Sequence, residues 1–515
     1  MPLPDARRNA IALIAVCLGA LMFGLEITSV PAILPTLERL LHGDFTSLQW
    51  VMNAYTIACT TVLMATGTLA DRFGRKRVFL VSIAAFGITS LVCGLAADMT
   101  ILIVGRFLQG MAGGALLICT VAILSHQFPD GVARSRAFAV WGVVAGIGLG
   151  FGPVIGGAIL TWLGWQWVFL IHVPLALLAI GLAWGAVTES RDPEAKRLDM
   201  AGIVTLSLAV FGFTWCITQG PARGLGDPVM LAILAGAAVC LALFLVAETR
   251  QAHPMFDFSV FRIPAFSGAI FGCMGMNFSY WPLMIYLPIY FQIGLGYDSV
   301  TAGLSLLAYT LPTLVVPPVG ERLALRYGPG RTIPFGLFTI GLGFLAMAIG
   351  TMGASPGWIT VLPGALIAGI GIALTNTPVT NTTTAAVPAS RAGMASGIDI
   401  SARLITLAIN IALMGVLLVE GIVAGLKRAM PAESDPAGLR ALAEGIAAGN
   451  AGALEAGTGA AVQTALAQGF RLIMLYGGLG VWLLAGLSFL AFRAGAAGRT
   501  SLSPCAVPAS PQSGA

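Results

Sequence analysis

The chain has 515 residues, of which 57% are hydrophobic and only 10% charged, and its mean hydropathy is +0.90. Soluble domains carry about 25% charged residues, so this composition excludes a water-soluble protein and indicates an integral membrane protein. The net charge of +5 does not indicate a nucleic-acid partner, because the basic residues lie in short loops between apolar runs. Seven of the eight cysteines lie within apolar runs and no CxxC pair occurs, so the sequence predicts neither a disulfide framework nor a metal site.

Long apolar runs divide the chain along most of its length. A run of about 20 residues is enough to cross a bilayer, and the pattern predicts fourteen such spans. Arg7 and Arg8 precede the first run, which is too long for the apolar part of a signal peptide and contains Glu26 and Pro31, so we expect it to be kept as the first span. The predicted spans are 9–35, 47–69, 78–97, 100–124, 135–160, 166–187, 200–219, 229–247, 265–291, 301–319, 332–352, 357–384, 394–425 and 469–492.

The basic residues predict the orientation of the chain. With the N-terminus in the cytoplasm, 19 of the 27 Lys and Arg residues fall in cytoplasmic segments and six in external ones, the asymmetry that the positive-inside rule describes. An even number of spans then returns the C-terminus to the cytoplasm. The predicted domains are a six-helix bundle over 1–190, two additional helices with cytoplasmic linkers over 191–262, a second six-helix bundle over 263–495 and a disordered tail over 496–515. An external loop over 426–468 interrupts the second bundle, and its composition is compatible with a short amphipathic helix.

A tight loop rich in charge follows the second span. Asp71 stands at the helix end and four cations follow it within six residues. This carboxylate can accept charge-assisted hydrogen bonds from neighbouring arginines or from another helix N-terminus, which would make a latch; a loop that only anchors the orientation explains the cations equally well. The latch motif comprises Gly67, Asp71, Arg72, Gly74, Arg75 and Lys76. A weaker copy of 69–74 recurs at 323–328 after the tenth span, as in chains with two related halves.

Arg106 lies inside the fourth predicted span. A charge in the bilayer costs at least about 2.5 kcal/mol, so its side chain needs either a route to the surface or a buried partner. Gly110 and Gly113 share its helix face and allow another helix to approach closely. The apolar stretch that begins at Leu102 favours a buried polar network with Gln109 over snorkelling to the surface.

The fifth span carries a stripe of small residues. Glycines recur every four residues, which lets a helix pack very closely on a neighbour, and a proline within the stripe bends the helix. Packing alone explains such a seam, and it is also a place where two halves of a protein can rock. The glycine motif comprises Gly148, Gly152, Pro153, Gly156 and Gly157.

Acidic residues within the spans are candidates for proton binding, because burial and a nearby cation act in opposite directions on the proton affinity of a carboxylate. Glu26 is the first candidate and Asp399 the second. Asp399 and Arg403 are one helical turn apart and can pair, so they can also simply lock a helix. We interpret His172 as a packing residue in preference to a proton relay, and Glu420 as a weak candidate near the external end of the thirteenth span.

Three of these features, in this order and spacing, resemble the major facilitator superfamily. Residues 67–77 are similar to its signature loop between helices 2 and 3, and Arg106-x-x-Gln109-Gly110 is similar to the helix-4 motif that the family associates with proton transfer. Residues 148–157 are similar to the helix-5 motif of its antiporters. Fourteen spans point to the drug:proton antiporter family of QacA/EmrB type.

The resemblance implies an all-α integral membrane protein with the major facilitator fold, in which about 14 transmembrane helices form two six-helix bundles plus two extra helices. It also implies which residues serve proton coupling and the substrate cavity: Glu26, Arg106, Gln109, Asp399 and Arg403.

The sequence departs from the family pattern at several polar positions. Glu26-Ile27-Thr28 stands where the family has Asp-x-Thr, and Pro31 takes the place of an Asn. Gln166 and His172 stand where Arg and Asn are usual, and Asp399 stands where Asn is common. These changes leave the substrate class open, although they do not affect the expected fold.

The function implied is a proton-coupled antiporter that exports small amphipathic molecules or drugs by alternating access, with a narrow exporter of one metabolite, antibiotic or siderophore as the alternative. The expected location is the inner membrane of a bacterium. No cofactor is expected; the partners are the substrate, protons and lipid, and a periplasmic adaptor serves some relatives. An enzyme or ATP-driven pump is disfavoured, because the sequence lacks a Gly-x-x-x-x-Gly-Lys-Ser/Thr loop and a His-Glu-x-x-His pair.

Overall fold

The computed structural model describes residues 5–128, 131–191, 200–224, 226–250, 258–352, 357–387, 392–429, 436–448 and 459–500. Within these ranges the regular structure is entirely helical. The α-helices are α1 Asp5–Leu41, α2 Phe45–Phe73, α3 Arg75–Gly94, α4 Met99–Gln127, α5 Gly131–Leu163, α6 Gln166–Leu170, α7 His172–Ala186, α8 Met200–Arg223, α9 Pro228–Arg250, α10 Pro264–Ile289, α11 Ser299–Thr310, α12 Pro312–Val315, α13 Pro317–Tyr327, α14 Pro329–Gly350, α15 Trp358–Ala385, α16 Ala392–Ala429, α17 Pro436–Ala448 and α18 Gly459–Thr500.

The expectation of a multi-span, all-helical membrane protein is confirmed. Among the described residues, ten helices are long and apolar enough to cross a membrane, and an eleventh span arises if the bent pair 299–315 and 317–327 is counted as one. Each of the fourteen predicted spans overlaps helical segments, and the helices extend beyond the predicted limits by up to ten residues, at the start of α18. The count of fourteen membrane crossings itself stays a prediction.

Local sequence explains where several helices begin and break. The carboxylates of Asp44 and Asp98 each accept a backbone N–H three residues further on, at 2.8 and 2.9 Å, and so cap α2 and α4. Asp298 caps α11 in the same way, and the hydrogen bonds from Thr301 and Val300 hold the pKa of its carboxyl below the ordinary value. The 45° bend between α12 and α13 falls at Pro317, which has no amide hydrogen to donate.

The two copies of the short sequence repeat adopt the same local structure. Gly74 ends α2 with φ of 110°, and Gly328 ends α13 with φ of 84°. Each glycine donates its N–H to the carbonyl four residues earlier and is followed at once by another helix. Positive φ favours glycine because it lacks a Cβ, so the repeat marks two equivalent corners.

The helices pack as two groups, named here the first half (α1–α7) and the second half (α10–α18). Helices α8 and α9 pack on each other, and α8 also contacts α2 and α16. Because successive spans run in opposite directions, the loops at 42–44, 95–98, 164–165 and 295–298 share one side, the Gly164 face. The corners at 74 and 328 share the other side, the Gly74 face.

Contacts between the halves are concentrated toward the Gly164 face. Gln49 donates to the hydroxyl of Tyr286 at 3.1 Å and to the carbonyl of Ile411 at 3.4 Å. The side-chain amide of Gln292 donates to the carbonyl of Ala32 at 3.1 Å. A further hydrogen bond between the halves joins α11 to the middle of α5. The halves are therefore closed against each other on this side.

Two predicted boundaries differ from the structure. Helix α16 continues to Ala429 and α18 begins at Gly459, so both reach into the predicted loop over 426–468. Helix α17 lies within that loop, with one face buried and the other carrying charge, as the sequence predicts for an amphipathic helix. Helix α18 also extends to Thr500, beyond the predicted start of the tail at 496; residues 501–515 lie outside the described residues.

Candidate functional site

A cluster of polar side chains lies wholly inside the first half. Glu26 on α1 and Arg106 and Gln109 on α4 have no exposed surface, and His172 at the start of α7 is 1% exposed. Isolated charges buried in this way are strongly unfavourable, so they require partners. The structure brings three of the predicted site residues, Glu26, Arg106 and Gln109, into direct contact.

Arg106 is the centre of the cluster. Its guanidinium forms a buried ion pair with Glu26, donates to Gln109 at 2.7 Å and donates to the carbonyl of Val51 at 3.0 Å. Gln109 in turn donates to the hydroxyl of Ser90 at 2.8 Å. The guanidinium also lies 4.3 Å from the centre of the Tyr55 ring, a cation–π arrangement. Arg106 therefore links four helices and does not snorkel to the surface.

His172 is the member of the cluster that sequence reasoning missed. Its Nδ1 lies 3.3 Å from Oε2 of Glu26 and 3.2 Å from the carbonyl of Phe169, and its ring meets Phe86 edge to face. The sequence interpretation favoured a packing residue over a proton relay. The one signal available was that this histidine replaces the family's usual Asn; a contact between α1 and α7 leaves no trace in a local pattern.

Two hydroxyls fix the Glu26 segment of α1 against α5. Thr28 donates to the carbonyl of Gly148 at 3.0 Å, and Ser29 donates to the carbonyl of Gly152 at 2.9 Å. A Cβ on Gly152 would overlap Thr28 Oγ1, and one on Gly156 would lie 2.8 Å from the carbonyl oxygen of Ser29. The glycine stripe therefore allows the two backbones to approach until side-chain hydroxyls reach backbone carbonyls.

The opposite side of α5 contacts the second half. Thr310 donates to the carbonyl of Gly150 at 2.7 Å. A Cβ on Gly157 would overlap the backbone carbonyl of Ser299, and one on Gly303 would lie 2.8 Å from the carbonyl oxygen of Pro153. Helix α5 thus lies between α1, which carries Glu26, and α11 of the other half.

The remaining predicted site residues form a separate cluster in the second half. Asp399 Oδ2 lies 3.1 Å from Nη2 of Arg403. Arg403 also donates to Asn376 at 2.6 Å and to Thr380 at 3.1 Å, and both of these side chains are exposed on α15. The predicted set is therefore divided between two halves, with no described contact between the Glu26 cluster and the Asp399 cluster.

The cations after the second span have partners within the first half. Lys76 donates to the carbonyl of Trp184 at 2.6 Å through its ammonium and to Glu189 at 3.1 Å through its backbone N–H. The backbone N–H of Arg75 donates to the carbonyl of Ser190 at 3.0 Å. The side chain of Asp71 lies outside the described residues, and so does the surrounding of Gly67. The latch therefore stays a prediction.

Two further expectations can be placed. Glu420 is half exposed and pairs with Arg440 of α17 at 2.9 Å, away from the Glu26 cluster. Among the described residues, no three His, Cys, Asp or Glu side chains are grouped so that they could hold a metal ion.

Two helical halves with buried charged residues are the architecture of a multi-span membrane transporter. Comparisons with known proteins agree with this class. Residues 16–410 match the profile of the Major Facilitator Superfamily. The chain belongs to this superfamily, and it is a secondary transporter rather than an enzyme.

Two similar proteins come from Mycobacterium tuberculosis and Streptomyces glaucescens. The chain is 32% identical to the multidrug resistance protein Stp of Mycobacterium tuberculosis over 441 residues, which are 85% of this chain and 81% of that protein. It is also 32% identical to the tetracenomycin C resistance and export protein of Streptomyces glaucescens over 412 residues, which are 79% of this chain and 75% of that one.

Solved structures share the fold at low sequence identity. A bacterial homolog of the human lysosomal transporter Spinster superposes with a TM-score of 0.61 at 16% identity, covering 97% of this chain and 99% of that one. A D-xylose-proton symporter superposes with a TM-score of 0.57 at 15% identity, covering 78% and 90%. These likenesses support the fold alone.

Proposed function

We propose that this protein is a proton-coupled antiporter that exports small amphipathic molecules, including drugs, across the cytoplasmic membrane of a bacterium by alternating access. The observation that carries the proposal is the Glu26 carboxylate, which is completely buried inside a membrane helix bundle and paired with Arg106. An ionisable residue within the membrane marks a functional site by default, and proton relays are built from such carboxylates.

Proton binding at Glu26 changes the charge balance of the cluster. With the carboxylate ionised, its charge and that of Arg106 cancel; with the carboxylate protonated, Arg106 keeps an uncompensated charge at a buried position. The two protonation states therefore favour different packing around the cluster. A proton gradient supplies about 1.4 kcal/mol per pH unit, and the membrane potential adds about 2.3 kcal/mol per charge per 100 mV.

The α5 seam offers a direct route from this cluster to the interface between the halves. Thr28 lies two residues after Glu26 and is hydrogen-bonded to α5, while Thr310 of α11 is hydrogen-bonded to the same helix two residues further along. A shift of α1 on protonation is thus transmitted through one rigid helix to the second half. Rocking about this seam would open the Gly164 face and close the Gly74 face.

The proposed topology places fourteen spans in two six-helix bundles over 1–190 and 263–495, with the two extra helices within 191–262. The described helices support this arrangement. Helices α6 and α7 follow each other with a break of one residue and together make one span from the Gly164 face to the Gly74 face, and α11–α13 do the same. The start of α1 and the end of α18 fall on the Gly74 face in this topology, and the positive-inside rule assigns that face to the cytoplasm. The cations of the proposed latch lie on the same face.

The substrate would meet the second half at the Asp399 cluster. Asn376 and Thr380 are exposed on a membrane helix, and such polar side chains are better accommodated by a water-filled cavity than by lipid. Hydrogen bonds from Arg403 orient both side chains. The similarity to Stp, a multidrug resistance protein, favours a broad exporter. The second candidate, a narrow exporter, is favoured by the relative described as exporting tetracenomycin C.

The test is transport in proteoliposomes under an imposed pH gradient, with ethidium, tetraphenylphosphonium, norfloxacin and tetracenomycin C as substrates. Glu26→Gln keeps the shape of the side chain but cannot exchange a proton, and Glu420→Gln makes the same change at a half-exposed position. We expect gradient-driven movement of several compounds in the wild type and in Glu420→Gln, and its loss in Glu26→Gln. Movement of one compound alone would select the narrow exporter, and normal transport by Glu26→Gln would refute the assignment of the proton site.

A further inference from the structure

The second oxygen of Glu26 faces a histidine that the resemblance does not explain. Oε1 of Glu26 is bound by Arg106, and Oε2 lies 3.3 Å from Nδ1 of His172. Both side chains are buried, so this contact is shielded from bulk water. An asparagine, usual in the family at this position, could supply a donor in the place of Nδ1 but could not pass a proton on.

The other ring nitrogen of His172 is the unusual feature. Nε2 is buried and has no hydrogen-bond partner among the described residues. Buried polar atoms are nearly always hydrogen-bonded, and each exception calls for an explanation. Nδ1 is hydrogen-bonded to the carbonyl of Phe169 and lies 3.3 Å from the Glu26 carboxylate, whose Oε2 has no hydrogen-bond partner among the described residues. The ring can therefore accept a proton at the bare Nε2 and release one beside Oε2.

The groups around this pair limit the alternatives. Arg106 on α4 faces Glu26 and is a fixed positive charge. Tyr55 on α2 and Cys93 on α3 lie beside the cluster, and both are far weaker acids than a carboxylic acid. Ser90 and Gln109 complete the polar surroundings and do not titrate. His172 is therefore the neighbour of Glu26 whose side chain has nitrogens that can both accept and donate a proton.

We propose that His172 is the proton relay that loads Glu26. A hydronium ion gives a proton to Nε2 and leaves as water, the proton on Nδ1 passes to Oε2 of Glu26, and the imidazole is left neutral, so one proton enters and one carboxylate becomes a carboxylic acid. The ring then carries its proton on Nε2, and it returns to the starting tautomer by giving this proton to water and taking one from water on Nδ1, with no net change in protons. This inference rests on the proposed function, because it assigns a role in proton coupling at the same site.

The position of His172 suits a relay from the Gly164 face. Helix α6 begins at Gln166, next to the corner at Gly164, and His172 lies six residues further on. Six helical residues correspond to about 9 Å along the helix axis. Arg106 lies seven residues after the start of α4 on the same side, so the cluster occupies the half of the membrane nearer that face. In the proposed orientation this is the external side, from which protons enter.

A pair of isosteric variants tests the relay in the full-length protein in proteoliposomes. His172→Asn places an amide nitrogen where Nδ1 was and so keeps a donor beside Oε2 of Glu26 and the carbonyl of Phe169, but it has no second ring nitrogen. His172→Gln places its amide where Nε2 was and loses the donor at the Nδ1 position. We expect both variants to bind tetraphenylphosphonium with wild-type affinity and to lose about 100-fold in gradient-driven rate, the lower end of the effect of a positioned proton-transfer group.

Other outcomes have distinct meanings. A His172→Asn variant that transports at the wild-type rate, with an unchanged pH profile, would overturn the relay and make His172 a positioning residue. A wild-type protein that the gradient does not drive would overturn both the relay and the proposed function. Gradient-driven transport in the wild type, together with full activity of His172→Asn, would overturn the relay alone.

Chemical rescue separates proton transfer from packing. His172→Ala leaves a ring-sized space, which imidazole can fill as a base and pyrrole can fill only as a shape. We expect imidazole to restore gradient-driven transport in this variant and pyrrole not to restore it. Equal stimulation by the two molecules, or by neither, would overturn the relay. Thermal unfolding of each purified variant checks that the fold is retained.

Discussion

Substitution of Gly152 by alanine tests how much the close packing of α1 on α5 contributes to stability and transport. The added methyl carbon would overlap the hydroxyl oxygen of Thr28 and lie 2.8 Å from Thr28 Cβ and 3.3 Å from the backbone nitrogen of Ser29. Two of these three atoms are rigid, so relief requires α1 to move away from α5. Such a movement would break the hydrogen bond from Thr28 to the carbonyl of Gly148.

The expected change in stability combines three contributions. Overpacking a well-packed interior costs about 1–3 kcal/mol, and a lost intramolecular hydrogen bond costs about 1 kcal/mol. Replacing glycine by alanine within a helix contributes about 1 kcal/mol in the opposite direction. We therefore expect Gly152→Ala to lower the free energy of unfolding by about 1–3 kcal/mol and to slow gradient-driven transport.

Gly150→Ala is the matched control. Gly150 lies in the same helix two positions earlier, and a Cβ there would meet no atom within 4 Å. This variant should gain the helix-propensity contribution of about 1 kcal/mol and keep its transport activity. The measurement is unfolding of both purified variants in mixed micelles, with transport assayed in parallel. Equal stability of the two variants would refute the close approach of α1 to α5.

Further predictions concern the buried ion pair, the glycine corners and the closed interface. Arg106→Gln leaves the Glu26 carboxylate buried without its cation and should cost about 3–5 kcal/mol; adding Glu26→Gln should recover part of this loss, so a double-mutant cycle that proves additive would contradict the pair. Gly74→Ala should be less stable than Gly328→Ala in thermal unfolding, because both have positive φ but only the Cβ at 74 would collide with a side chain, 2.5 Å away; equal melting temperatures would count against this. Gln49→Leu removes two hydrogen bonds between the halves, each contributing about 0.5–1.5 kcal/mol, and should widen spin-label distances across the Gly164 face; unchanged distances would contradict that role.

Helix positions could be predicted from the sequence because their causes are local. An apolar run of membrane length is visible in the sequence itself, and the helices follow such runs from α1 to α18. The bend at Pro317 also follows from a local property, since proline lacks an amide hydrogen. The equivalence of the corners at Gly74 and Gly328 was visible as a six-residue repeat.

The grouping of site residues could be predicted only in part. Arg106 and Gln109 share a helix face, so their contact follows from their spacing, but Glu26 lies 80 residues from Arg106 and the resemblance alone suggested that they cooperate. The predicted domains placed Asp399 in the second bundle, but no local pattern showed whether its side chain would reach the Glu26 cluster. His172 and the pairing of Gln49 with Ile411, 362 residues apart, depend on how the helices assemble.

The contacts around the corner at Gly74 also bear on how the protein is made. The chain segment that ends the first half returns to the start of α3, where Ser190 accepts from Arg75 at 3.0 Å and Trp184 accepts from Lys76 at 2.6 Å. All these partners precede α8 in the chain. Domains generally fold as units during synthesis, the N-terminal one first. The ribosome therefore delivers a bundle that can close on itself in the membrane, with its buried charges already paired, before the second half is translated.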